Sequence, residues 1–136
     1  MTTPTYQRTL PLLDDSNRFF WTSGAEGELR LMRCQECGHW LHPPGPLCPV
    51  CRSERLAAEA VSGLGSIETY TLNMRSWGPG LEVPYVVAIV HLDEQPGLRL
   101  TTNIVGIPAS DVRIGMRVRV TFERDEDVWL PLFTPA

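Results

Sequence analysis

Every cysteine of this 136-residue chain belongs to one of two Cys-x-x-Cys pairs. A Cys-x-x-Cys turn directs both of its sulfurs to the same side, so two such turns can surround a tetrahedral metal ion with Zn–S distances near ~2.3 Å. Four thiolates complete the ligand shell and leave no position for water or substrate. The spacing therefore predicts a closed, structural metal site whose ligands are Cys34, Cys37, Cys48 and Cys51.

The metal is predicted to be Zn²⁺, since zinc is the usual ion in structural sites with four cysteines. Iron of the rubredoxin type uses the same ligands and stays open as an alternative. A thioredoxin-like redox pair is not indicated, because it needs one Cys-x-x-Cys pair next to a βαβ unit. His39 and His42 lie between the pairs, and we interpret them as residues outside the ligand shell rather than as ligands of a mixed site. Gly38 suits a left-handed backbone after the first pair, whereas Arg52 follows the second pair, which is expected to be less regular.

The C-terminal part of the chain has the pattern of five β-strands. The predicted strands are Gly65–Met74, Tyr85–Leu92, Leu98–Val105, Arg117–Glu123 and Val128–Phe133. A helical turn predicted at Asp111–Gly115 falls between the third and fourth strands, which is the order of an OB-fold barrel. A five-stranded open sandwich has a similar pattern and stays open as an alternative. Pro131 predicts that the fifth strand lies at an edge.

The N-terminal part predicts a short helix within Asp14–Gly27, with capping residues at its start and glycines at its end. Phe19, Phe20 and Trp21 form an aromatic patch that either packs on its own domain, which we favour, or contacts a partner or ligand. Glu28–Arg33 alternates as a strand does. We therefore predict a mainly β chain with a helical segment at residues 1–27, a zinc ribbon at 28–60 and a five-stranded OB-fold barrel at 61–136.

Charge and length argue against several classes of protein. The 12 basic residues, all of them Arg, are outnumbered by 16 acidic residues, and the net charge of −4 argues against binding nucleic acid by bulk charge. Without lysine, Schiff-base chemistry and a P-loop are excluded. The first ten residues lack the apolar core of an export signal, and the longest apolar run, Val83–Val90, is too short for a membrane span of ~20 residues. We expect a cytoplasmic protein with reduced thiols and no membrane partner.

Several short motifs together resemble those of a known protein family. The N-terminal ones are Asp15-x-Asn17-x-Phe19-Phe20-Trp21, Cys34-x-x-Cys37-Gly38 and Pro43-Pro44-x-Pro46-x-Cys48-Pro49-x-Cys51. The C-terminal ones are Gly65-x-Ile67-x-Thr69-Tyr70-Thr71, Pro84-Tyr85-Val86-Val87-Ala88, Thr102-Asn103-Ile104-Val105 and Val112-Arg113-Ile114-Gly115-Met116. From about Asp14 onwards, the chain resembles the zinc-ribbon plus OB-fold proteins associated with acyl-CoA, once a domain of unknown function.

This resemblance implies an N-terminal helix, a rubredoxin-like zinc ribbon and a C-terminal OB barrel. It also implies a partner subunit of a thiolase-like enzyme that forms or cleaves C–C bonds of acyl-CoA thioesters. Such enzymes include thiolases, acyltransferases and retro-aldolases of lipid and steroid side-chain degradation. The small subunit is considered non-catalytic, and it stabilises the partner and shapes the acyl-CoA channel. The expected assembly is a hetero-oligomer with acyl-CoA at the shared site.

The residues themselves agree with a non-catalytic role. Thiolase chemistry needs a nucleophilic cysteine or an activated base, and a ligated thiolate has its charge committed to the metal. We therefore expect catalysis to need a second polypeptide. The loop Arg75–Glu82 joins the first two barrel strands, a position that commonly carries ligand contacts in OB-folds. Arg75 and Trp77 are accordingly candidate contacts with a partner or ligand.

An OB-fold that binds single-stranded nucleic acid is the alternative function. Tyr70, Tyr85 and Trp77 have rings that can stack on bases, and Arg117 and Arg119 share one strand face. The net charge of −4 and the acidic run after the fourth strand argue against this function. We interpret the two arginines as part of a solvated strand face.

Overall fold

The computed structural model describes residues 9–76 and 82–136. Its helical part is short, because α1 spans Arg18–Thr22 and 3₁₀ turns lie at Ser23–Glu26 and Ala109–Asp111. The strands are β1 (Leu29–Cys34), β2 (Trp40–Leu41), β3 (Leu56–Val61), β4 (Leu64–Asn73), β5 (Tyr85–Leu92), β6 (Arg99–Ile104), β7 (Arg117–Asp125) and β8 (Val128–Pro135). The predicted mainly β architecture is confirmed.

The smaller sheet has the strand order β2-β1-β3, and all of its neighbours are antiparallel. The central strand β1 buries Leu29 and Leu31 on one face, as its alternating sequence predicts. β1 ends at Cys34, so the first cysteine pair lies at the C-terminal end of the central strand. The domain boundaries predicted after residues 27 and 60 stay predictions.

The larger sheet is a closed barrel with the strand order β4-β5-β6-β8-β7. Along β5, every second side chain is at most 2% exposed, and the residues between them are half-buried. These inward residues are Val86, Ala88, Val90 and Leu92. The OB-fold barrel is therefore confirmed, and the open sandwich does not form. The helical turn before β7 lies at Ala109–Asp111, two residues earlier than predicted.

The prediction that Pro131 marks an edge strand is wrong. β8 pairs with β7 along its length and with β6, in parallel, at Ile104 and Phe133. At the proline itself a side chain joins the strands, because the Thr102 hydroxyl donates to the Pro131 carbonyl at 2.9 Å. Proline has no N–H to donate. The barrel therefore closes between β8 and β6 without a ladder hydrogen bond from the proline nitrogen.

Two close contacts hold the ribbon and the helical segment on the barrel. In the β5–β6 turn, the side chain of Gln95 accepts the Trp40 N–H at 2.8 Å and donates to the Trp40 carbonyl at 3.0 Å. At the 3₁₀ turn after α1, a methyl group on Gly24 would lie 2.6 Å from both Phe122 and Trp129. One cluster of buried apolar side chains runs from α1 through both sheets. The three segments therefore pack as one body.

Candidate metal centre and neighbouring surfaces

The first cysteine pair is formed by a tight turn at the end of β1. The Gly38 N–H donates to the Cys34 carbonyl at 3.0 Å, and the Cys34 N–H donates to the His39 carbonyl at 2.8 Å. Gly38 has a φ of 83°, in the left-handed region that glycine adopts without a steric penalty. The turn brings the sulfurs of Cys34 and Cys37 to the same side.

The second cysteine pair repeats this turn at the same sequence offsets. The Arg52 N–H donates to the Cys48 carbonyl, and the Cys48 N–H donates to the Ser53 carbonyl, both at 2.9 Å. Arg52 has a φ of 65°, which matches the left-handed conformation of Gly38. The expectation of a less regular second pair is therefore wrong. The turn keeps its shape, and the arginine adopts a conformation that costs a residue with a Cβ about 1–2 kcal/mol.

The four cysteine sulfurs converge on one point. The Sγ atoms of Cys34 and Cys51 are 3.5 Å apart, and those of Cys37 and Cys48 are 3.6 Å apart. All four lie within 4.8 Å of one another. Sulfurs placed ~2.3 Å from the centre of a tetrahedron would be about 3.8 Å apart. The four cysteines are thus positioned to bind a metal ion.

The thiols of this group have opposing acidities. The Cys37 N–H, 3.5 Å from the Cys34 sulfur, is the main cause that lowers the pKa of the Cys34 thiol to about 6. At Cys51, the N–H of Ser53 lowers the pKa, but desolvation and the three neighbouring thiols together raise it to about 12. A thiolate at one position therefore disfavours further thiolates nearby. Four thiolates at this spacing require a cation between them.

The two histidines between the cysteine pairs lie outside the group of four sulfurs. The ring of His42 packs on Phe20 with a centroid separation of 4.9 Å, and burial lowers the pKa of His42, so the imidazole is neutral. His39 contributes its carbonyl to the first turn. These positions agree with our interpretation that neither imidazole is a ligand.

The aromatic residues of α1 pack against their own domain. Phe20 is 6% exposed and belongs to the core cluster, and Phe19 and Trp21 are half-buried against it. Phe20 and Trp21 meet edge to face with ring centroids 4.8 Å apart. Phe20, Trp21 and His42 also line a cavity of about 550 Å³ between α1, the ribbon and the barrel. A role of Phe19, Phe20 or Trp21 in partner contacts stays a prediction.

The end of the β4–β5 hairpin carries exposed apolar side chains. Leu72 is 39% exposed, Met74 is 69% exposed and Val83 is 42% exposed. Arg75 follows β4 and is exposed, whereas Trp77 lies outside the described residues. The predicted contact role of Arg75 and Trp77 stays a prediction.

Two of the residues named for the nucleic-acid alternative, Arg117 and Tyr70, have other contacts. Arg117 forms two hydrogen bonds with the Asp93 carboxylate, at 2.8 and 2.6 Å, and a third with Ser66. Tyr70 is half-buried and packs against the core cluster. The charge of Arg117 is thus compensated within the chain, and the Tyr70 ring is committed to the barrel.

Sequence reasoning missed the cavity and the contact made by Gln95. The cavity is lined by α1, the segment after β2, β6 and β8, which lie far apart along the chain. Gln95 lies in a turn, and no local pattern distinguishes it from other polar turn residues. Both features depend on long-range packing, and no periodic signal in the sequence marks them.

The comparisons with known proteins agree with this architecture. The family model described as "ChsH2, rubredoxin-like zinc ribbon domain" matches residues 21–57, and the one described as "ChsH2, C-terminal OB-fold domain" matches residues 58–123. The chain is also 34% identical over 94 residues to a DUF35 domain-containing scaffold protein of Methanothermobacter thermautotrophicus. That match covers 68% of this chain and 69% of the relative. The chain belongs to the DUF35 family.

Two further similarities of this DUF35 chain are to a curated enzyme subunit and to a solved aldolase structure. It is 37% identical over 134 residues to a probable enoyl-CoA hydratase alpha subunit of Thermomonospora curvata, which covers 98% of this chain and 41% of the relative. The chain therefore spans about two-fifths of that relative's length. The solved structure described as "Ltp2-ChsH2(DUF35) aldolase" matches with a TM-score of 0.83 and 36% identity, covering 93% of this chain and 98% of the other.

Within residues 9–76 and 82–136, no helix is long and apolar enough to cross a membrane.

Proposed function

We propose that this DUF35 chain is the non-catalytic accessory subunit of a thiolase-like complex. The complex makes or breaks a C–C bond of an acyl-CoA thioester, as a thiolase, an acyltransferase or a retro-aldolase of lipid or steroid side-chain degradation. The observation that carries this proposal is the 36% identity, over nearly the whole of both chains, to the DUF35 chain of an aldolase. The hetero-oligomer acts in the cytoplasm, where thiols stay reduced.

The cysteine geometry supports a non-catalytic role. All four cysteines of the chain lie in the group that is positioned for a metal ion, so none is left as a nucleophile. The nucleophile or base of the reaction then belongs to the partner subunit. The accessory chain stabilises that partner and shapes the acyl-CoA channel.

The metal of this proposal is Zn²⁺, held by Cys34, Cys37, Cys48 and Cys51. Its chemistry is structural: it links the two turns and neutralises their thiolates, and in small domains such an ion supplies an apparent ~10–16 kcal/mol. Elemental analysis of the purified chain is expected to give one zinc per chain. Cys37→Ser is expected to abolish zinc binding and unfold the ribbon. Iron in place of zinc, or a metal-free chain that folds fully, would contradict this part of the proposal.

The end of the β4–β5 hairpin is the proposed partner surface. Met74 and its apolar neighbours Leu72 and Val83 are exposed together, and large exposed apolar side chains next to an arginine are typical of protein interfaces. Arg75 is proposed to contact a carboxylate or a phosphate. Trp77, in the same loop, is proposed as an apolar anchor.

The test is co-expression with a thiolase-like subunit encoded next to this chain, followed by size exclusion, mass analysis and an acyl-CoA cleavage assay. Wild type is expected to form a stable complex, and neither subunit alone is expected to give full activity. Met74→Ser and Trp77→Ala are expected to weaken assembly, and Arg119→Gln, on the exposed face of β7, serves as the control. Turnover of acyl-CoA by the isolated chain, abolished by a point change within it, would overturn the non-catalytic role.

A further inference from the structure

The cavity between α1, the ribbon and the barrel is a preformed space. Its volume of about 550 Å³ lies within the ~300–1,000 Å³ of small-molecule pockets. Each wall is held by a separate contact. The ribbon is held on the barrel by the hydrogen bonds between Gln95 and Trp40, and Trp40 lies two residues before His42. The 3₁₀ turn after α1 is held by the close approach of Gly24 to β7 and β8.

The walls of the cavity are mostly rings and apolar side chains. Phe20 stands between Trp21 and His42, with centroid separations of 4.8 and 4.9 Å. Burial lowers the pKa of His42, so this ring adds no charge. Leu130 and Leu132 of β8 also line the cavity. Flat or branched carbon skeletons pack well against such walls.

Two polar side chains that line the cavity are already hydrogen-bonded within the barrel. The Thr102 hydroxyl donates to the Pro131 carbonyl at 2.9 Å, and the Asn103 side chain donates to the Val86 carbonyl at 2.8 Å. An apolar ligand therefore takes no hydrogen bond away from these groups. The usual penalty for covering polar atoms with carbon is small here.

Arg99 lines the cavity and forms an ion pair with Glu68, to which its Nε donates a hydrogen bond at 2.7 Å. Among the described residues, the terminal amino groups of this guanidinium donate no hydrogen bond. The terminal amino groups of the guanidinium therefore keep their donors for a ligand. Thr101, beside Arg99 on the same rim, is exposed.

We propose that this cavity is a binding site for an apolar ring compound that carries one carboxylate or similar anion. The carbon skeleton lies among the rings of Phe20, Trp21 and His42, and the anion contacts Arg99. This site belongs to the accessory chain itself. It goes beyond the proposed function, since it requires neither a partner subunit nor acyl-CoA.

The experiment uses two fluorescent probes with the same ring skeleton. 1-Anilinonaphthalene-8-sulfonate carries an anion, and N-phenyl-1-naphthylamine does not. Each is titrated into the metal-loaded full chain. Wild type is expected to bind both probes. Leu130→Trp is designed to fill the cavity. It is expected to lower the affinity for both probes by at least about tenfold, because it removes the space for the ring skeleton. Thr101→Phe, at an exposed rim position, is the second filling variant.

The anion contact is tested separately by the difference between the probes. Arg99→Gln is expected to lower the affinity for the sulfonate probe by about fivefold, which is the upper end for an exposed ion pair. The affinity for the uncharged probe is expected to stay unchanged. Arg119→Gln, an arginine outside the cavity, is the matched control and is expected to change neither. Circular dichroism and metal content confirm that each variant is folded. The proposal is overturned if wild type binds neither probe, if both filling variants bind like wild type, or if Arg99→Gln and Arg119→Gln behave alike.

Discussion

The contact between Gln95 and Trp40 makes the ribbon and the barrel depend on each other. Trp40 is 7% exposed, and both its N–H and its carbonyl are bonded by the single side chain of Gln95. Gln95→Met keeps a similar length and removes both partners. Each hydrogen bond contributes ~0.5–1.5 kcal/mol, and a buried group left without a partner costs ~1–3 kcal/mol. We expect Gln95→Met to lower the free energy of unfolding by about 2–4 kcal/mol, a large share of a typical ~5–15 kcal/mol.

The assay is urea denaturation of the metal-loaded chain, followed by tryptophan fluorescence and circular dichroism. With a slope of about 2 kcal/mol per molar urea, the middle of the usual range, the expected loss lowers the urea midpoint by about 1–2 M. Gln35 is the matched control, since it bonds the Arg33 carbonyl at 3.0 Å and Glu59 at 2.8 Å but is exposed. Gln35→Met is expected to change stability by less than about 0.5 kcal/mol. If the two variants lose the same amount, the coupling through Gln95 is refuted.

Three further changes test the turns, the packing and the charges. Arg52→Gly is expected to raise the free energy of unfolding by about 0.5–1 kcal/mol and Gly38→Ala to lower it, as measured by urea titration; a stabilising Gly38→Ala would contradict the left-handed requirement. Gly24→Ala is expected to lower stability by about 1–3 kcal/mol through overpacking, and a neutral result would show that the turn can shift. The hydrogen bonds of Arg117 lower the pKa of Asp93, so this pair stabilises the fold above the unfolded-state pKa, and the contribution is lost as the pH falls through the lower folded-state pKa. When the pH is lowered from about 6 to 2, the free energy of unfolding of wild type should fall by about 0.5 kcal/mol more than that of Asp93→Asn, as measured by urea titration at each pH. Equal decreases would contradict this.

Features that depend on local periodicity could be predicted from the sequence. The bounds of β5 are those predicted, because Tyr85–Leu92 lies between Pro84 and Asp93 and its alternate side chains fill the barrel. The cysteine group could also be predicted from the sequence, because each Cys-x-x-Cys turn is closed by hydrogen bonds between residues that are close together in the chain. The helix is shorter than predicted because the Asp14 carboxylate accepts the N–H groups of Ser16 and Asn17, which forms a separate turn before α1 begins.

Features that depend on which strands meet were not predictable in the same way. Pro131 was expected to mark an edge strand because the parallel contact between β6 and β8 is not visible in the sequence. These two strands are not consecutive along the chain. The Thr102 hydroxyl joins the two strands there by donating to the Pro131 carbonyl, and neither residue signals the other in the sequence. The cavity has the same origin, because it forms between elements that only the closed barrel brings together.

The two cysteine turns have a consequence for the unfolded chain. Each is closed by bonds that span only four or five residues, so a pair of sulfurs can be arranged without the barrel. Denatured chains are then expected to retain affinity for the metal ion, which weakens the link between metal concentration and the folding equilibrium. Raising the free zinc concentration should therefore increase the free energy of unfolding by less than the affinity of the native site implies.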